Sequence, residues 1–262
     1  MTRITDVFKK EKKVFIPFVT AGDPDLETTE KLIYAMEAAG AGIIELGIPF
    51  SDPVAEGPVI QEADNRALAA GFKIDDLFAM LHRVRTRTQI PLVFLTYVNP
   101  IFTYGRDKFF RNCKETLIDG VIVPDVPYEE KATIKGDADK YGIELISLIA
   151  PTSHDRVQMI AREAQGYIYL VSSMGVTGVR EKITTDLGTI VQKIREVTDR
   201  PVAVGFGIAE PQQAAAMAEL SDGAIVGSAI VKIVAKYGRE AVGPVQEYVK
   251  KMADAVKSTV RA

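Results

Sequence analysis

The amino-acid sequence predicts an α/β protein: a single (β/α)₈ TIM barrel over residues 1–262, with an extra N-terminal helix. Three observations carry that expectation. Short, apolar, β-branched runs recur eight times, amphipathic helical segments separate them, and 262 residues is close to the roughly 250 such a barrel uses. A chain of this size buries about 75% of its unfolded surface, enough for a large core without staples. No linker, low-complexity stretch or composition break marks a second domain.

The strand runs begin near Val14 (VFIPFVT), Gly42 (GIIELG), Pro91 (PLVFLTY) and Val121 (VIVP). They resume near Ile143 (IELISLIA), Tyr167 (YIYLVSS), Pro201 (PVAVGFG) and Gly223 (GAIVG). Near-continuous apolar strands suit a parallel sheet covered by helices. Between them, Leu32, Ile33, Met36 and Ala39 share one helix face, and Ile74, Leu77, Met80, Leu81 and Val84 share another. Asp25, Ser153 and the pair Glu210-Pro211 stand where helices start. Thr2 to Lys10 is expected to cap the bottom of the barrel.

Composition excludes several classes. The chain is 47% hydrophobic and 26% charged with a formal charge of −3, so it is expected to be soluble and to have little affinity for nucleic acid or anionic membranes. Its one cysteine, Cys113, forms no internal disulfide, and no signal peptide or apolar run of membrane-spanning length is evident, which points to the cytoplasm. Two histidines and one cysteine far apart argue against a zinc site. His82 with Arg83, Arg85 and Arg87 reads as a solvated face, His154 as a helix-start residue, and Cys113 as a partly buried helix residue.

In this fold the strands' C-terminal ends build the active site, and the loops after strands seven and eight hold phosphate. Strand seven ends in Gly205-Phe206-Gly207, and strand eight runs into Gly227-Ser228 at a helix start. Glycine lets amides approach the oxygens, the helix dipole favours an anion, and Ser228 adds a hydroxyl. Gly178 offers a third backbone donor. Tight turning alone is the competing explanation for these glycines.

Glu45 interrupts an apolar strand. Alternation sets Ile43, Glu45 and Gly47 on one face and Ile44, Leu46 and Ile48 on the other. If the Ile44 face meets the helices, Glu45 points into the barrel, where desolvation raises its pKa toward the range useful for proton transfer. A purely structural carboxyl is the alternative, and Tyr167 or Tyr169 is a possible hydrogen-bond partner in either case. Glu56, in the proline-stiffened loop Pro49 to Pro58, supplies a second acid, and two carboxyls in different surroundings can divide acid and base work.

The segment ELGIPFSDPVAEGPVIQ closely resembles the signature of the tryptophan synthase α subunit family, ELG-x-PFSDP-x-A-D-G-P-x-IQ. PFVTAGDP, VPDVPYEE, GVTG, GFGI and GSAIVK also match, in the family's order and over nearly the whole chain. The resemblance implies retro-aldol cleavage of indole-3-glycerol phosphate to indole and glyceraldehyde 3-phosphate, without metal or covalent intermediate. It makes Glu45 and Glu56 the catalytic acids. Phe18, Leu95, Ile122 and Tyr169 would line the substrate site, Thr177 and Gly178 would belong to the sixth loop, and Gly207, Gly227 and Ser228 would meet the phosphate. It implies no cofactor in this chain, and a partner β subunit carrying pyridoxal phosphate, two of each forming the complex. Asp52, Pro53, Asn99, Pro100 and Pro127 would face that partner. Asp125 would lie near the site and partner surface, although it could simply organise a turn.

One position departs from the family: Glu56 stands where aspartate is usual. The extra methylene displaces the carboxylate by on the order of 1 Å, a shift that can cost about 10²-fold in rate. The departure therefore implies weakened or adjusted lyase activity, or compensating geometry nearby. Alternatives are another phosphate-binding barrel of the same pathway, a stand-alone indole-releasing lyase, and a weakly catalytic subunit that chiefly activates its partner. The first of these could be an indole-3-glycerol phosphate synthase or a phosphoribosylanthranilate isomerase; the synthase, which closes a ring, would need a lysine on an early strand, which this chain lacks.

Overall fold

A computed structural model describes residues 2–151, 156–172, 187–205 and 207–259. The eight sequence runs form β1 (Val14–Thr20), β2 (Ile44–Gly47), β3 (Leu92–Leu95) and β4 (Gly120–Ile122), then β5 (Glu144–Leu145 and Ser147–Ile149), β6 (Ile168–Val171), β7 (Val202–Gly205) and β8 (Gly223–Val226). Only the fifth departs from the expectation of a continuous strand, because it breaks at Ile146. All pairings are parallel, and the order runs from the first half of β5 through β4, β3, β2, β1, β8, β7 and β6 to its second half. Both ends of the sheet thus belong to one interrupted strand, and the ring closes through it.

The helices are α1 (Arg3–Lys10), α2 (Leu26–Ala38), α3 (Pro58–Ala69), α4 (Ile74–Val84), α5 (Val98–Tyr104) and α6 (Arg106–Glu115). After them come α7 (Ala132–Tyr141), α8 (Val157–Arg162), α9 (Leu187–Arg195), α10 (Pro211–Leu220), α11 (Ser228–Tyr237) and α12 (Val242–Lys257). The start signals act as expected at two ends. The Asp25 carboxylate accepts the Thr28 N–H at 2.7 Å, and the Gln213 side chain accepts the Glu210 N–H at 3.0 Å behind Pro211. Ser153 and His154 lie outside the described residues.

Strand alternation sorts the core into two. Phe15, Val19, Ile44, Leu46 and Phe94 face the helices, whereas Val14, Ile16, Ile43, Val93, Tyr167 and Ala203 fill the barrel interior. Ile4 of α1 is fully buried in that inner cluster, and Phe8 packs on Tyr167 with ring centres 6.0 Å apart, so α1 does plug the bottom. Two Asp-Gly pairs tie strand starts together there. Asp119 accepts the Leu92 N–H at 2.9 Å and Asp222 the Val202 N–H at 3.0 Å, and Arg3 clasps Asp119 at 2.8 and 3.1 Å.

Cys113 is buried entirely on α6, more deeply than expected. The basic cluster at the end of α4 needs a larger correction. His82, Arg83 and Arg87 are exposed, but the side chain of Arg85 is only 6% exposed and is not part of a solvated face. It donates to the carbonyls of Ile90, Thr116 and Leu117, backbone acceptors between α4 and β3 and at the end of α6.

The seam between the first and last strands tolerates no side chain at Gly223, where a Cβ would stand 2.4 Å from the Val14 carbonyl oxygen. Gly223→Ala is expected to destabilise the barrel by roughly 1–3 kcal/mol through overpacking against backbone. Urea unfolding checks this, and an unchanged midpoint would show that the β1–β8 seam yields freely.

Candidate active site

The C-terminal ends of the strands surround a cavity enclosing about 680 Å³, open mouth included. Its walls bring together Glu45 and Glu56, the apolar residues Phe18, Leu95 and Tyr169, and, from the loops after β7 and β8, Gly207, Gly227 and Ser228. Eight of the residues singled out from sequence therefore share one chamber. Ile122 does not line it. It is fully buried in the inner cluster with Val93 and Ile146, and Pro124, two residues on, reaches the wall instead. Thr177 and Gly178 lie outside the described residues.

Glu45 points inward, as the alternation requires, and is 1% exposed. Its Oε1 accepts the Tyr167 hydroxyl at 2.5 Å. Burial pushes its pKa up to about 8 against the opposing effect of that hydrogen bond, so the carboxyl is largely protonated at neutral pH. The two tyrosines of β6 take separate places: Tyr167 holds the acid from below, and Tyr169 forms cavity wall. Gly205 of β7 makes room for the latter, since a Cβ there would meet the Tyr169 hydroxyl at 2.4 Å.

Glu56 reaches the cavity from the loop between β2 and α3. Burial raises its pKa, while hydrogen bonding with Asp64 and Tyr97 pulls the other way. The loop is stiffly held. Gln61 donates to the Glu56 carbonyl at 2.7 Å, Ala55 N–H donates to the Tyr97 hydroxyl at 3.2 Å, and the Phe50 and Tyr97 rings lie 5.3 Å apart. Sequence reasoning missed Tyr97 and Asp64. The first stands two residues past the end of β3, in a region where this fold places site residues. The second is a charge within the buried stripe Ile60, Ala63, Asp64, Ala67 of α3, the helical counterpart of the interruption that exposed Glu45.

At the other end, Gly207 adopts φ +76°, a conformation that a side chain would disfavour. Gly227 caps the start of α11, so Ser228 and the first free amides of a ten-residue helix face the chamber wall. Ile60, Leu148, Ile208 and Ile225 add apolar surface to the same walls. The arrangement offers an acid pair, an apolar slot and an anion-receptive end. Among the described residues no three His, Cys, Asp or Glu side chains cluster as metal ligands do, and no helix is long and apolar enough to cross a membrane.

On the rim, Asp52, Asn99 and Pro127 are exposed and Pro53 and Pro100 half-buried, all in loops or helix starts following β2, β3 and β4. Val54, 72% exposed, and Phe102, 45% exposed, add apolar surface that the sequence reading did not single out. Asp125 behaves as a turn organiser, its carboxylate accepting the Val98 N–H at 3.0 Å at the start of α5.

The family model for the tryptophan synthase alpha chain matches residues 4–259. The tryptophan synthase alpha chain of Lacticaseibacillus casei is 48% identical over 256 residues, covering 98% of this chain and 96% of that protein. The crystal structure of tryptophan synthase subunit alpha from Legionella pneumophila superposes with a TM-score of 0.89 at 35% identity, over 99% of this chain and 100% of that one. A chain from the tryptophan synthase a2b2 complex of Pyrococcus furiosus gives 0.85 at 35% identity, over 93% and 99%. Built on the same barrel and matched along nearly its whole length, this chain belongs to the tryptophan synthase alpha chain family.

Proposed function

We propose that Glu45 and Glu56 carry out the family's lyase reaction, cleavage of indole-3-glycerol phosphate to indole and glyceraldehyde 3-phosphate. The observation that carries this assignment is a protonated, water-excluded carboxyl at Glu45 in the same chamber as an anion-receptive helix start at Ser228. Glu45 delivers its proton to indole C3, leaving the ring as an iminium. When the bond from C3 to the glycerol carbon breaks, its electrons flow into that iminium and restore indole. The hydroxyl on the departing carbon loses its proton to the Glu45 carboxylate as the aldehyde forms, so the acid ends as it began. Glu56, ionised, accepts the indole N–H while positive charge develops on the ring nitrogen.

Phe18, Leu95 and Tyr169 form the slot for the flat ring. The amides near Gly207 and Gly227, with Ser228, hold the phosphate. The chemistry runs on these side chains without a cofactor in this chain. The rim loops bearing Asp52, Pro53, Asn99, Pro100 and Pro127 meet a β subunit that carries pyridoxal phosphate and receives the indole, two copies of each chain making the complex. Val54 and Phe102 support that placement, since exposed apolar side chains beside a polar rim favour docking.

Glu45→Gln keeps shape and removes the transferable proton. Indole release should fall by at least 10³-fold, on the order of what general acid–base catalysis supplies with margin for its double use. Affinity for glycerol phosphate should stay within about twofold; turnover near that of the wild type would remove Glu45 from the mechanism.

The same substitution should alter stability with pH. The carboxyl binds its proton more tightly folded than unfolded, so its favourable contribution is complete below pH 4.5 and is lost as pH rises through about 8. That loss is on the order of 5 kcal/mol, and Glu45→Gln avoids it. Denaturant titrations at pH 5 and pH 9 should show the variant gaining on the wild type by several kcal/mol. Parallel pH dependences would mean the carboxyl is solvated.

Glu56→Asp shortens a side chain that spans from its loop to Asp64. A fall in kcat/KM of about ten- to a hundredfold is expected from a displacement on the order of 1 Å. An aspartate form faster than the wild type would show that the longer acid is a handicap here.

A further inference from the structure

Glu56 and Asp64 are neighbouring buried carboxyls, 6% and 3% exposed, joined by a side-chain hydrogen bond. Such a bond needs a proton on one of them. The Oε2 atom of Glu56 is buried and, among the described residues, meets no N–H or O–H donor, so a carboxyl proton is what remains to satisfy this end of the side chain. Asp64 also accepts the Phe50 N–H, tying the far end of the same loop to α3. We propose that Asp64 is a positioning residue: protonated, it donates to Glu56, holds the loop acid at the cavity wall and keeps it ionised for the indole N–H.

The surroundings decide which partner carries the proton. Burial raises both carboxyls. Asp64, with the Glu56 charge beside it, is pushed up to about 9, whereas hydrogen bonds from Asp64 and Tyr97 oppose the rise at Glu56, so the proton the pair shares near neutrality is assigned to Asp64. The other groups facing the pair do not reverse this. Tyr97, on the cavity side, also favours the ionised form of Glu56. Asp23 adds a negative charge that raises Asp64 further, moderated by its bidentate pair with Arg66 at 2.8 and 2.9 Å. Asp125 lies beyond Tyr97 and acts on that hydroxyl. This inference rests on the role proposed for Glu56 and explains how a longer acid is accommodated where the family signature has aspartate.

The test compares Asp64→Leu, which removes the donor, with Asp64→Asn, which keeps a donor to Glu56 and an acceptor for Phe50. kcat/KM for indole-3-glycerol phosphate is measured from pH 5 to 9, with folding checked by circular dichroism. Asp64→Leu should lose about ten- to a hundredfold at neutral pH. Its acid limb should move toward neutrality by about one pH unit or more, because a buried Glu56 without a donor protonates more readily. Asp64→Asn should recover at least a third of the wild-type value with an acid limb no higher than the wild type. A purely structural role would lower the rate at every pH without moving the limb, and that result, or an Asp64→Asn as impaired as Asp64→Leu, overturns the proposal. A wild-type enzyme that releases no indole would instead overturn the assignment of the reaction.

Discussion

Setting a carboxyl inside an apolar barrel costs folding free energy at every pH where the unfolded chain would ionise it. Much of this architecture serves to keep Glu45 there, dry and protonated. Strand alternation turns it inward, and Tyr167 gives it one hydrogen bond from below. The plug formed by Ile4 and Phe8 closes the barrel bottom beneath that tyrosine. An acid with a pKa of about 8 is a strong enough donor to protonate carbon and, once ionised, basic enough to take a hydroxyl proton back. Two or three charge-assisted partners would have made the site more stable and less useful.

The second acid is treated differently. Glu56 sits on a loop, so neither strand register nor barrel packing fixes it. Its support comes from α3 and β3 through Asp64, Gln61 and Tyr97. Burial raises both carboxyls, but among the described residues Glu56 has Asp64 and Tyr97 to oppose that rise, and Glu45 has Tyr167 alone. Environments that separate the protonation of two acids let one give a proton while the other holds a negative charge.

Most of the barrel was legible because its signals are periodic. All eight runs became strands, and the inward direction of Glu45 followed from a period of two. What escaped depends on relations between elements. The break at Ile146 is invisible in an apolar run, and Arg85 looked solvated beside His82 and Arg83 because its carbonyl partners lie just after α6 and before β3. Ile122, expected at the slot from the family resemblance, is buried in the inner cluster and does not reach the cavity wall, because motif matching gives the face of a residue but not how far its side chain is covered by its neighbours. Asp64 was detectable in principle, since it interrupts the buried stripe of α3 as Glu45 interrupts β2; its partner, eight positions earlier on a loop, was not.

Substituting a longer acid in a preorganised site raises a geometric problem that shortening the loop would solve poorly. Pro49, Pro53 and Pro58 limit the conformations open to that segment, and Phe50 packs on Tyr97. A change in the loop path would therefore disturb the cavity wall as well as the acid. A partner on the neighbouring helix acts on the side chain alone. Asp64, on the face of α3 that is buried anyway, can draw the carboxyl into position with a single proton and leave the backbone where it is. The cost is a second carboxyl out of water, and the shared proton keeps that cost to one buried charge where two would be prohibitive.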